Sequence, residues 1–263
     1  MPFDPLDRNE SRRLPVWFFL PLVLAGLAVA MAVAVLVGGA DLPPARVLSV
    51  LWQAVRGQRA DDIAAQIVLD IRLPRIVLAM VVGAGMGLAG LASQTLFRNP
   101  LASPYVLGVS NGAAVGAVAA MLLAAGTMSG TMSGTMYSWS WSWSWSALGY
   151  GGVPVMSVFG GCIVSGIVYT MARRSGHFGH SLLLAGIAIS AFCAALTAAA
   201  LYLAGERLQI LVFWLMGGLW QATWRDVLLV TPVTAAALVG LGALAPAMNV
   251  ALVGERSAID LGL

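Results

Sequence analysis

Lysine is absent from this chain. All fourteen basic residues are arginine, and with eleven acids they bring charged residues to only 10% and the net charge to +3. A basic excess so small and so dispersed excludes a nucleic-acid binder built on a charged patch. A soluble domain of this size would need more polar surface than a chain that is 60% hydrophobic can supply. Histidine is nearly missing: His177 and His180 share a short turn after Arg173-Arg174, without the Cys or carboxylate neighbours of a metal site. The two cysteines, Cys162 and Cys193, fall inside apolar segments, where a small buried hydrophobe is expected rather than a disulfide. No GxxxxGK[ST] loop is present to hold a nucleotide, and no constellation for catalysis, so the chain is expected to be neither an enzyme nor a cofactor carrier. A removable leader is not expected at the N-terminus: acids and bases alternate from Asp4 to Arg13, and the apolar segment that follows is too long.

What is abundant is uninterrupted apolar sequence, with a mean hydropathy of +0.89. Charge-free runs predict an all-α, polytopic bundle with spans at Val16 to Val37, Ile76 to Phe97, Tyr105 to Ala125, Gly152 to Ala172, Leu182 to Ala204 and Val227 to Ala245. Each is about 19 to 23 residues, long enough for a hydrocarbon core of about 30 Å at 1.5 Å per residue. Arg8, Arg12 and Arg13 before the first span, and Arg173-Arg174 after the fourth, favour a cytoplasmic N-terminus. Arg46, Arg56, Arg59, Arg72 and Arg75 in the predicted outer loop oppose that assignment.

Gly83 and Gly87, and then Gly108, Gly112 and Gly116, recur at a spacing of four and line helix faces. Such faces allow close helix packing in a membrane, with contact to a cargo as the alternative. Residues 126–146 are low in complexity, GTMSGTMSGTM followed by Ser-Trp units carrying Trp139, Trp141, Trp143 and Trp145. They read as an insertion in an outer loop, from repeat slippage or as an aromatic platform. Ser190 and Thr197 are seven apart on one helical face. They could line a wet pathway or bond to carbonyls one turn back.

Several runs carry a specific resemblance: RLPR at Arg72 to Arg75, NPLA at Asn99 to Ala102, GVSNGA at Gly108 to Ala113, LLLAGIA at Leu182 to Ala188, VFWLMGGLW at Val212 to Trp220, and GERSA from Gly254. In this order they resemble the FecCD-type permeases, the membrane subunits of ABC importers for iron-siderophores, haem and vitamin B12, and most closely the vitamin B12 members. The resemblance covers nearly all of the chain but about the first two thirds of a typical member. It implies a single, partial permease domain over residues 1–263, with about six spans of a ten-span type II bundle in the cytoplasmic membrane. It also implies a cytoplasmic ATP-binding subunit, a periplasmic substrate-binding protein, a second permease copy and surrounding membrane lipid as partners. A transport-inactive membrane fragment is the competing reading. By resemblance, Arg72 and Arg75 dock the binding protein through acidic residues, against ordinary interfacial anchoring as the alternative. Asn99 and Leu101, with Gly179 and His180, correspond to the cytoplasmic gate, and the LLLAGIA and VFWLMGGLW runs to elements that line the pathway, the first of them on the span that carries Ser190 and Thr197. Residues 246–263 correspond to the start of the coupling region, with Gly254, Glu255, Ala258, Leu261 and Gly262 facing the ATPase.

Overall fold

A computed structural model describes residues 16–58, 62–126, 152–175 and 178–253. These residues form helices and turns with no strand among them. The order is α1 (Val16–Leu36), α2 (Pro44–Val55), α3 (Ile63–Gln66), a π-helical turn (Ile67–Arg72), α4 (Leu73–Phe97), a 3-10 turn (Pro104–Leu107), α5 (Val109–Gly126), α6 (Gly152–Arg173), α7 (Phe178–Leu203), a 3-10 turn (Gly205–Arg207), α8 (Leu208–Met216) and α9 (Trp224–Val253). Five stretches are long and apolar enough to cross a membrane: Phe19–Leu36, Ile63–Phe97, Gly152–Arg173, Ser181–Leu203 and Trp224–Val250.

The expected third span is the exception. Its first residues, Tyr105 to Leu107, lie in the 3-10 turn Pro104–Leu107, and Gly108 at φ +75° breaks the chain direction before α5 begins. The apolar part of α5, Val109–Leu123, is correspondingly shorter than a full span. The second span departs in the other direction, because helix begins at Ile63 instead of Ile76. Asp62 accepts the N–H of Ala65 at 3.1 Å and caps that start. Arg72, expected in the outer loop, is carried inside the helix, as is Asp70.

The chain divides into two compact units, with the breaks falling inside α4 and α9. The first comprises Met1–Val82 and Leu219–Val233. Its core joins Val47 and Val50 of α2 to Ala64, Ala65 and Val68, with Val35 and Leu36 of α1 against them. The second comprises Gly83–Gly218 and Thr234–Leu263. Here α5 packs most extensively on α6. One cluster joins Ala117, Val118 and Met121 to Val153 and Leu211, and another joins Val164, Val168 and Ala172 to Leu182, Ala185 and Cys193. Cys193 is buried as expected of a small hydrophobe, whereas Cys162 is exposed on α6.

Candidate functional site

The RLPR run is a fastening point in the first unit. Arg72 is buried, 7% exposed, and its guanidinium donates to the carbonyls of Val35 at 2.8 Å, Leu36 at 3.3 Å and Ala40 at 2.6 Å. The carbonyls of Val35 and Leu36 belong to the last turn of α1, where no further helical N–H can reach them and a cation is favoured by the dipole. Gly38 makes room for this: a Cβ there would lie 2.6 Å from the guanidinium carbon.

Pro74 explains the π-helical turn. A proline inside an α-helix presses its ring on the carbonyl four residues back and supplies no N–H. Widening the preceding turn relieves the clash, and the Leu73 N–H accordingly reaches the carbonyl of Val68, five residues back. In the same pattern the Leu69 carbonyl would take the N–H of residue 74, which does not exist. The indole N–H of Trp224 donates to that carbonyl instead, at 2.9 Å. Arg75 completes the fastening, with Nε to the carbonyl of Leu219 at 3.1 Å and Nη2 to that of Trp220 at 2.7 Å. Thr223 and Asp226 brace the same loop: the carboxylate of Asp226 accepts the Thr223 N–H at 2.8 Å and its hydroxyl at 2.7 Å, in the manner of a capping box.

Arg72 and Arg75 therefore differ. Arg72 is enclosed and committed to three carbonyls. Arg75 is exposed and uses two of the five N–H groups of a guanidinium on the loop. Nearby, Arg46 and Asp62 form an ion pair that includes a bond from Nε at 3.1 Å. That guanidinium, then the N–H of Ala65, holds the Asp62 carboxyl below the usual aspartate range.

The NPLA turn in the second unit is built by local bonds. Arg98 takes the left-handed conformation at φ +48° and donates to Thr95, while the Asn99 N–H reaches Gln94 at 3.1 Å, a Schellman-type ending for α4. The Asn99 side-chain carbonyl accepts the Leu101 N–H at 2.9 Å, which leaves Leu101 at the tip, 89% exposed. Gly179 is exposed in the first turn of α7. The side chain of His180 lies outside the described residues, as do His177, the tract after Gly126, and Gly254, Glu255, Ala258, Leu261 and Gly262.

The GVSNGA run makes the seam between helices. Gly112 and Gly116 of α5 meet Gly160 and Met156 of α6 with backbone against backbone, so that a Cβ at Gly112 would lie 2.7 Å from the Gly160 carbonyl oxygen. Gly186 of α7 rests against the Val106 carbonyl of the 3-10 turn in the same way. Ser190 lies one turn further along α7: its carbonyl accepts from the Asn111 amide at 3.4 Å, and its buried hydroxyl has no hydrogen-bond partner among the described residues. It thus faces the α5 entry turn. Thr197 donates to the carbonyl of Cys193 at 3.0 Å, within its own helix. Gly83 and Gly87, read as packing positions, have open space where a side chain would stand.

Sequence reasoning singled out the two arginines but not Gly38, Pro74 or Trp224, which make their fastening work. The Pro in a helical run and the TWRD sequence at the start of α9 were the available signals.

An all-helical chain with several helices of spanning length, sewn together by glycine contacts and by arginine on helix-end carbonyls, is a multi-pass membrane protein. It belongs to the FecCD transport family, whose profile matches residues 26–263, and it resides in the cytoplasmic membrane. The Cobalamin import system permease protein BtuC of Halobacterium salinarum is 35% identical over 233 residues, covering 88% of this chain and 56% of that protein. The Vitamin B12 import system permease protein BtuC of Klebsiella pneumoniae is 34% identical, covering 98% of this chain and 66% of its own length. The Probable iron chelatin transport system permease protein of Helicobacter pylori is 30% identical, with coverage of 75% and 53%. This chain thus spans between half and two thirds of the curated relatives it matches. A solved ABC transporter assigned to the metal-chelate type, in an inward-facing conformation, has the same fold at a TM-score of 0.69 and 24% identity, covering 92% of this chain and 68% of that one.

Proposed function

We propose that this chain is the membrane permease subunit of a binding-protein-dependent ABC importer for a metal chelate: an iron-siderophore, haem or cobalamin. The single observation that supports this most is the match to the FecCD family from residue 26 to residue 263, joined by relatives named for cobalamin and iron chelate transport. In this reading a separate cytoplasmic subunit hydrolyses ATP, an extracytoplasmic binding protein delivers the cargo, and two permease copies enclose the pathway within membrane lipid.

Arg75 is the docking arginine of this reading. It is exposed, and its remaining N–H groups can meet carboxylates of a binding protein. Arg72 serves docking indirectly, by holding the end of α1. Leu101 at its exposed turn, with Asn99 shaping that turn, fits a gate that excludes water and moves, with Gly179 and His180 as the second element. Ser190 and Thr197 remain the pathway residues of the proposal, although the Ser190 hydroxyl is buried and the Thr197 hydroxyl is bonded within its own helix. Gly254, Glu255, Ala258, Leu261 and Gly262 are the coupling contacts with the ATPase.

The test is reconstitution in vesicles of this chain, alone and with the sequence encoded downstream, beside an ATP-binding subunit and a binding protein. ATP-dependent uptake of cobalamin or a ferric siderophore supports the reading. Absence of both uptake and ATPase co-purification in every combination refutes it. Uptake that appears only with downstream sequence identifies this chain as a transport-inactive fragment of such a permease.

A further inference from the structure

The helix α2 has three faces, not two. At about 100° per residue, Val47, Val50 and Ala54 fall on one face, Leu48, Trp52 and Val55 within an arc of about 60° on a second, and Arg46, Ser49 and Gln53 on a third, with Arg56 as the C-cap. The first face is core: Val47 and Val50 are buried against Ala64, Ala65 and Val68. The second is as apolar as the first yet turned outward, with Trp52 at 58% and Val55 at 82% exposed. Where the helix ends, the guanidinium of the C-cap Arg56 sits 4.6 Å from the centroid of the Trp52 ring.

The level of this helix relative to a bilayer is fixed by its packing. Its core face is joined to Val35 and Leu36, in the last turn of α1, and the exposed residues of α1 are apolar up to Val37. A bilayer that surrounds α1 therefore ends where α2 lies. Tryptophan prefers that depth, and an arginine stacked beside it can reach outward to phosphate while its stem covers the ring.

We propose that α2 is an interfacial helix that binds the phospholipid headgroup layer, with Leu48, Trp52 and Val55 among the upper acyl segments and Arg56 bonded to a lipid phosphate. An apolar face with one cation at its edge matches an acidic phospholipid surface. The inference rests on membrane embedding alone and stands whether or not the chain transports a chelate.

The experiment places a bimane label at Val55→Cys, and in a second protein at Gln53→Cys, in the full chain carrying Cys162→Ala and Cys193→Ala. Each is reconstituted in vesicles of phosphatidylcholine with phosphatidylglycerol. The proposal expects the label at position 55 to be quenched several-fold more by lipid doxylated near the headgroup than by aqueous iodide, and the label at position 53 to show the reverse. Iodide quenching of both, without lipid quenching, overturns it. So does binding-protein addition that shields position 55, which would make this a protein-docking face. A second measurement uses Arg56→Gln in the otherwise native chain. The melting temperature of the native chain should rise on going from phosphatidylcholine to phosphatidylglycerol and that of the variant should not. Equal rises in both overturn the role of Arg56.

Discussion

Arg72→Met keeps most of the length and apolar bulk of the side chain and removes the guanidinium. The carbonyls of Val35, Leu36 and Ala40, on half-buried residues beside the buried Arg72 side chain, then lose their donor. A hydrogen bond from a charged donor contributes about 1.5–3 kcal/mol net, and a buried acceptor left unpaired costs about 1–3 kcal/mol. The contacts at 2.6 and 2.8 Å have good geometry and the one at 3.3 Å is weak. Because these terms overlap, the expected destabilisation is about 3 to 5 kcal/mol. Arg72→Lys should recover part of it, since an ammonium can satisfy two carbonyls but lacks the planar fork. Arg75→Met, at an exposed site, should cost no more than about 1 kcal/mol. Thermal unfolding of the detergent-solubilised chain, followed by tryptophan fluorescence and checked by size-exclusion chromatography, separates these cases. The expected order of melting is Arg75→Met near the native chain, Arg72→Lys lower and Arg72→Met lowest. If Arg72→Met melts with the native chain but loses capture by a binding protein, the guanidinium faces outward and the argument fails.

Trp224→Phe should cost about 1 kcal/mol by leaving the Leu69 carbonyl unpaired, and clearly less in a Pro74→Ala background, where the restored N–H at position 74 can reach that carbonyl. A double-mutant cycle with no coupling would refute the proposed substitution of one donor for another. Gly160→Leu should force α5 and α6 apart and cost at least about 2 kcal/mol, whereas Gly87→Leu, in open space, should be tolerated; equal expression and melting of the two would contradict the seam. Asp62 has a depressed folded pKa, so its contribution to stability is present above the unfolded aspartate value and is lost as pH falls through the folded one. The native chain should thus show an acid-side fall below about pH 4 that Asp62→Asn reduces. Ser190→Ala, which removes a buried hydroxyl without a partner among the described residues, should leave melting unchanged or raise it, and a large loss would show a partner at that hydroxyl.

Composition and unbroken apolar runs were enough to determine an all-helical membrane protein, because a bilayer sets span length directly and few charges interrupt these segments. Motif order was enough to determine the family. The spacing of Gly108, Gly112 and Gly116 foretold a close-packed face, and the structure supplied Gly160 and Met156 as what it packs against. The same spacing at Gly83 and Gly87 meets open space among the described residues, since a small face permits approach without requiring it. Charge misled at Arg72, which read as loop and is helical. A charged residue ends an apolar run but does not end a helix when its side chain has a destination. Only the tertiary structure supplied that destination. The carbonyls that receive Arg72 lie more than thirty residues earlier in the chain, and the indole that replaces the missing N–H of Pro74 comes from Trp224, far later. Pairings over such separations leave no periodicity in the sequence, and they exist only once helix ends are brought together.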